Sequence, residues 1–353
     1  MEVRYNMVIN RVRYLAIIIM TVIMSLFMVT DSTFAAEINF SVNTVIPDNQ
    51  IDKAKTYFNL NMSPNQQQDI TTTLKNDTKK DITINVAVNS AKTNANGVID
   101  YGKTNTKNDS SLKYDMSEIV KGPSRVVVPA QSSKEVVFHI TMPKNSFDGI
   151  LLGGLTFQQE SSEVNQATAK SGTTIQNEYA YALAIMLKET DKLVTPNLNL
   201  LKVGPAQSNY RNVINANIQN DQSVLLSDVK IDAKIYAKNS AKPVYTAIKN
   251  SMQIAPNSHF DYPVSLNGTA MTAGDYTLRM KVTGKANNKT YSWQLNKKFK
   301  IDAAKAKDLN KSDVDLKANT NNRNWLYPLV SLILLLIIAI LVFIVIKQRK
   351  SKD

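Results

Sequence analysis

The stretch Tyr276-Thr277-Leu278-Arg279-Met280-Lys281-Val282 decides the fold class. Large apolar side chains occupy every second position and polar ones the positions between. That is the period of a strand with one dry and one wet face, not of a helix. The same period recurs along the chain. Ile38, Phe40 and Val42 share a face, as do Phe58, Leu60 and Met62, then Ile82, Ile84 and Val86, then Val136, Phe138, Ile140 and Met142. Further on come Ile214, Ala216 and Ile218, then Val229, Ile231, Ala233, Ile235 and Ala237 with Lys230, Asp232 and Lys234 facing out, and finally Trp293, Leu295, Phe299 and Ile301. Pro47-Asp48-Asn49, Ser63-Pro64-Asn65, Asn96-Gly97, Pro143-Lys144-Asn145, Ala273-Gly274-Asp275 and Asn287-Asn288 supply turns between them. Short alternating strands at this spacing predict an all-β chain of two tandem immunoglobulin-like β-sandwiches, over residues 37–160 and 175–305. A body of about 290 residues has room for two cores.

One strand breaks the alternation. Phe147 to Phe157 is apolar almost throughout, which suits a strand buried on both faces, and Gly153 and Gly154 sit at its centre. Two readings stand: a central strand with a close packing contact, or a ligand groove lined by the bare backbone of Gly153 and Gly154. Gln158 to Gly172 is polar and small, a flexible loop or linker. The apolar strand after it, within 178–190, either opens the second sandwich or folds back to complete the first.

The two ends set the location. Leu329 to Ile346 is a run of eighteen residues with Ser331 as its only polar side chain, preceded by Trp325 and Tyr327 and followed by Lys347, Arg349, Lys350 and Lys352. Such a run spans roughly 27 Å as a helix, the aromatics suit the headgroup level, and the basic tail belongs on the cytoplasmic side. The expectation is a transmembrane helix at 325–346, a cytoplasmic tail at 347–353, a stalk at 306–324 and an exported body. At the other end Arg4, Arg11 and Arg13 precede the apolar run Leu15 to Val29, with small residues to Ala35. This reads as a signal peptide over 1–35, or else as a second anchor that leaves the body on the same side.

Composition narrows the function. The chain has no cysteine, so no disulfide contributes to stability. Of 42 basic and 29 acidic residues, 35 and 26 lie outside the two terminal segments, a net +9 suited to a polyanionic wall. No cluster of Lys and Arg with interleaved aromatics points to nucleic acid. The two histidines, His139 and His259, fall in different predicted sandwiches and read as exposed strand residues. Without Cys or paired His, and without a phosphate loop or nucleophile elbow, no enzyme, metal site or cofactor is expected.

Several separate motifs resemble one family. Phe40-Ser41-Val42, Ile46 to Asp52, Tyr57-Phe58-Asn59-Leu60, Asn96 to Tyr101 and Phe147 to Phe157 are similar to the N-terminal domain of the WxL-interacting proteins of Gram-positive bacteria. Asn177 to Tyr181, Ala255 to Phe260, Gly274 to Leu278 and Phe299-Lys300-Ile301 followed by Leu309-Asn310 resemble their second domain. The resemblance implies a peptidoglycan-binding first domain, a second domain that binds host extracellular proteins, and surface proteins with a WxL domain as partners. It implies a membrane-anchored adaptor or adhesin within the cell wall. The alternative is an extracytoplasmic chaperone or accessory ectodomain acting through β-strand addition.

Overall fold

The computed structural model describes residues 39–160, 180–316 and the single residue 332, and every described residue after Asn39 belongs to one compact unit. The chain runs through β1 (Phe40–Val45), β2 (Phe58–Asn61), β3 (Gln67–Asn76), β4 (Ile82–Ser90) and the short pair β5 (Lys92–Thr93) and β6 (Ile99–Asp100). A helical turn α1 (Met116–Ile119) follows, then β7 (Val120–Lys121), β8 (Arg125–Val128), β9 (Ser133–Thr141), β10 (Ile150–Gln159) and β11 (Ala180–Lys188). A four-stranded sheet in the order β1-β3-β9-β7 packs on a five-stranded sheet in the order β2-β11-β10-β4-β8. Alternation does what the sequence leads one to expect. In β9, Val136, Phe138 and Ile140 are buried while Lys134, Glu135, Val137 and His139 are exposed. Phe138 meets Phe157 of β10 edge to face at 6.3 Å, joining the two sheets.

The second half comprises β12 (Leu198–Ser208), β13 (Arg211–Asn220), β14 (Leu226–Ala237), β15 (Tyr245–Ile254), β16 (Ser258–Ser265), β17 (Gly274–Ala286), β18 (Lys289–Ile301) and the helix α2 (Ala303–Ser312). Its sheets are β12-β13-β16 and β15-β14-β17-β18, enclosing a second core of Ile214, Ile231, Ile235, Phe260, Leu278, Met280 and their neighbours. Asn287 and Asn288 take φ of 49° and 59°, the left-handed pair of a type I′ turn that matches the twist of the β17–β18 hairpin.

Strand β11 belongs to the first sandwich's sheet. It pairs antiparallel with β10, Gly153 opposite Ile185, and parallel with β2, Ile185 opposite Phe58. The apolar side chains of Ile185 and Leu187 thereby enter the first core. Strand β10 lacks alternation because both of its faces are covered. Leu151, Leu155 and Phe157 enter the first core, whereas Leu152 joins a small separate cluster with Ala91 and Ala255, the last from the second sandwich.

Two expectations are corrected. The stalk does not begin where the strands end: residues 303–316 dock on the second sandwich. Ala306 and Leu309, three apart on α2, are buried against its core. Beyond the helix, the buried Asp313 carboxylate accepts backbone N–H groups of Asn212, Asp315 and Leu316. The side chain of Asn310 both donates to Met271 O and accepts from Met271 N. A polar-looking segment is thus held by hydrogen bonds more than by apolar area. The second correction concerns His259, which is not an exposed strand residue but lies half-buried against a carboxylate from the first sandwich.

The expected signal segment 1–35, residues 161–179 with most of the expected linker Gln158–Gly172, and the run 325–346 with Trp325, Tyr327 and the basic Lys347, Arg349 and Lys350 lie outside the described residues, apart from Leu332. Among the described residues no helix is long and apolar enough to cross a membrane.

Candidate functional site

Gly153 and Gly154 lie where the sequence puts them, at the middle of β10, but no groove opens there. A Cβ on Gly153 would stand 2.5 Å from Met116 Cγ and 2.6 Å from the Asn89 carbonyl oxygen. One on Gly154 would stand 2.8 Å from both Leu183 O and the Tyr101 ring. At both positions the missing Cβ admits the chain's own atoms, Met116 and the Asn89 carbonyl at Gly153 and Tyr101 and the Leu183 carbonyl at Gly154.

What the fold does assemble is a junction between the sandwiches. The polar segment from Gly102 to Lys113 offers no strand or helix period, and the sequence assigns it no role. It carries Asp109 to the second sandwich. Asp109 accepts from both hydroxyl and backbone N–H of Ser111, and from the Gln219 amide at 2.9 and 3.0 Å. His259 Nδ1 lies 2.9 Å from its Oδ2. The Asp109 side chain is only 3% exposed. Burial alone would push its carboxyl up, but the donors from Ser111, Gln219 and His259 outweigh that and hold it below the usual carboxylate range.

More bonds cross beside it. Asn257, at φ 46°, donates its amide to Ser111 O and Asp221 O. The Ala255 N–H donates to Thr93 Oγ1, and Gln253 N–H to Gly97 O. Gly149, at φ 83°, lets Ser223 O approach so closely that a Cβ would stand 2.1 Å from it, and the next N–H, Ile150, donates to that oxygen at 2.8 Å. The signal that could have identified this junction is the run Ala255-Pro256-Asn257-Ser258-His259, a turn rich in hydrogen-bonding groups between two apolar strands.

Beside Gly149 the junction leaves a cleft of about 240 Å³, lined by Ile150, Thr190, Lys192, Val194, Leu225 and Asn287 among others. Lys192 pairs with Asp148 at 2.7 Å and Lys188 pairs with Asp191, so its charges are internally matched. Leu193, 66% exposed, stands at the rim. Among the described residues no three His, Asp or Glu side chains gather as metal ligands. His139 is exposed and pairs with Asp69.

Residues 40–159 match the family model described as WxL Interacting Protein, peptidoglycan binding domain, and residues 170–311 match WxL Interacting Protein, host binding domain. Together the matches span about three quarters of the chain. The second match begins upstream of β11, a strand that the structure pairs into the first sandwich. No curated protein matches. Among solved structures, the Class 5 fimbriae chaperone CfaA is 14% identical over 73% of this chain and 99% of that one, at a TM-score of 0.32. The E. coli chaperone DraB is 12% identical over 74% and 98%, at 0.28. A chain of the CsuC–CsuE chaperone–tip adhesion subunit pre-assembly complex of Acinetobacter baumannii is 11% identical over 67% and 94%, at 0.31.

Proposed function

Because this chain belongs to the WxL Interacting Protein family, with its peptidoglycan-binding domain followed by its host-binding domain, we propose that it is a non-enzymatic adaptor of the cell surface. Its body stands outside the cell as two immunoglobulin-like sandwiches, and the run 325–346 anchors it in the membrane with Lys347, Arg349 and Lys350 on the cytoplasmic side. The first domain holds peptidoglycan. The second engages host proteins, and the body captures surface proteins that carry a WxL domain. The observation that carries this reading is the pairing of the two family domains in one compact unit, tied through Asp109, Asn257 and the β10 face. Two binding domains held in one unit present their ligand sites at a fixed spacing, so that binding one ligand makes capture of the other intramolecular.

The test is sedimentation of the body, residues 39–316, with teichoic-acid-free sacculi, and capture of a purified WxL-domain protein by the same body. Retention of the WxL protein on sacculi only when the body is present supports the adaptor. Folded body that fails to sediment with sacculi removes the wall-binding half.

A further inference from the structure

The excess positive charge of the body is not shared between its two halves. Residues 39–190 hold 15 basic and 15 acidic side chains, a net of zero, while residues 191–316 hold 18 basic and 10 acidic, a net of +8. The neutral half is the one matched as peptidoglycan binding, so attraction to a polyanion belongs to the other half.

Within that half the cations converge on the outer face of the β15-β14-β17-β18 sheet. Ile231, Ala233 and Ile235 of β14 and Leu278, Met280 and Val282 of β17 point into the core, so the residues between them face water. On that outer face Lys234 stands directly opposite Arg279, and Arg279 opposite Asn296. Lys281 lies one step along β17, and Lys298 lies diagonally across on β18, opposite Thr277. Lys230 extends the row on β14, opposite Thr283. Asp232, opposite Lys281, also lies on this face and pairs with Lys234 at 3.4 Å, whereas Lys230, Arg279, Lys281 and Lys298 are exposed and make no ion pair among the described residues, so the face keeps a net positive charge. Like charges directly across a sheet are unfavourable on their own, and an anion between them reverses the sign.

The chemistry of the face selects among polyanions. Its cations repeat at the two-residue strand step of about 7 Å. Between them stand Asp232, matched by Lys234, and the neutral hydrogen-bonding side chains Thr277, Thr283, Ser292, Gln294 and Asn296. An alternation of cations with hydroxyl and amide groups fits a chain that alternates phosphodiesters with polyol hydroxyls. Nucleic acid would need ring faces for its bases. The outward ring of this face, Tyr236, is already covered by the Arg279 guanidinium at 4.8 Å from its centroid.

We infer that the outer face of the β15-β14-β17-β18 sheet binds a linear polyol-phosphate polymer of the teichoic type. The body then has a second hold on the wall, separate from its peptidoglycan-binding domain. The inference rests on the wall location proposed above but not on which residues hold peptidoglycan.

The experiment measures binding of the full chain, in detergent micelles, to immobilised polyglycerol phosphate free of peptidoglycan. Two variants are compared, each three charges less basic: Arg279→Gln with Lys281→Gln and Lys298→Gln on the face, and Lys75→Gln with Lys79→Gln and Lys80→Gln on the first sandwich. All six side chains are exposed, so both variants keep their cores. The face variant is expected to lose at least tenfold in affinity and to lower the slope of log affinity against log salt by about two. The first-sandwich variant is expected to lose less than threefold, and both to sediment normally with teichoic-acid-free sacculi. Equal loss in the two variants would mean bulk charge and overturn the assignment. So would undiminished polymer binding by the face variant, or single-stranded DNA or heparin binding as tightly as polyglycerol phosphate at matched charge.

Discussion

Asp109 shows how much one side chain can hold in this molecule. Truncation by Asp109→Ala strands the Gln219 amide and His259 and frees Ser111, and should cost about 3 kcal/mol in urea unfolding of residues 39–316. Because the folded carboxyl sits below its ordinary range, its contribution is complete above about pH 4 and fades as pH falls through the folded value. The variant should therefore lose less stability on acidification than the parent, and an equal loss in both would contradict this role. Tyr262 works at the opposite end of the scale. Burial, with the Asp232 charge as a lesser cause, pushes its phenol up to about 12. Its share of stability is present below about pH 10 and vanishes as pH rises through the folded value, roughly 2–3 kcal/mol in all. In Tyr262→Phe that alkaline step should be missing from a pH series of thermal melts. Gly153→Ala, with its methyl aimed at Met116 and the Asn89 carbonyl, should destabilise the body by about 1–3 kcal/mol while folded protein still sediments with sacculi. Loss of sacculus binding without loss of stability would restore the groove reading.

Among the elements, β11 makes the sharpest demand. A fragment of residues 39–160 leaves β10 with only one of its two antiparallel neighbours, β4, and β2 without any partner strand, whereas 39–190 keeps all of these pairings. The shorter fragment should aggregate or unfold at lower urea than the longer one, and equal midpoints would mean that β11 is dispensable. The sequence displays the strands themselves because alternation survives wherever one face is dry, as in β9 and β17. It does not display the partner of β11, since an apolar strand looks the same whichever sheet accepts it. Nor does it display α2 as a docked element: Ala306 and Leu309 are too few to form a stripe, and the hold comes from bonds of Asn310 and Asp313 to Asn212, about a hundred residues away, and of Asn310 to Met271 on the 266–272 turn. The same limit hides Asp109 in a segment that has no period. Polar contacts made across long sequence distances leave no local pattern, whereas burial does. Gly153 and Gly154 mark a close approach legibly, but the sequence is silent on whether the visitor is a ligand or Met116 and Tyr101.

At the scale of the whole molecule, the junction predicts cooperative behaviour. Residues 39–316 should melt as one calorimetric transition, and Asp109→Ala combined with Asn257→Ala should split it in two; two resolved transitions in the parent would show that the sandwiches are energetically independent. On the proposed wall binding, the split of charge predicts that the second sandwich carries nearly all of the ionic-strength dependence of retention. The docking of residues 303–316 also sets a length. Had the chain been free from Asp302, twenty-three residues would separate the last strand from Trp325, a tether of at most about 80 Å. With Asp313 clamped and Leu316 its last bonded neighbour, only residues 317–324 remain, at most about 28 Å of contour. With the run 325–346 as the proposed membrane anchor, the second sandwich would be on a short leash, held in the layer of wall next to the bilayer, and anything arriving from outside would have to cross the wall's thickness to meet it or be brought down by a longer partner.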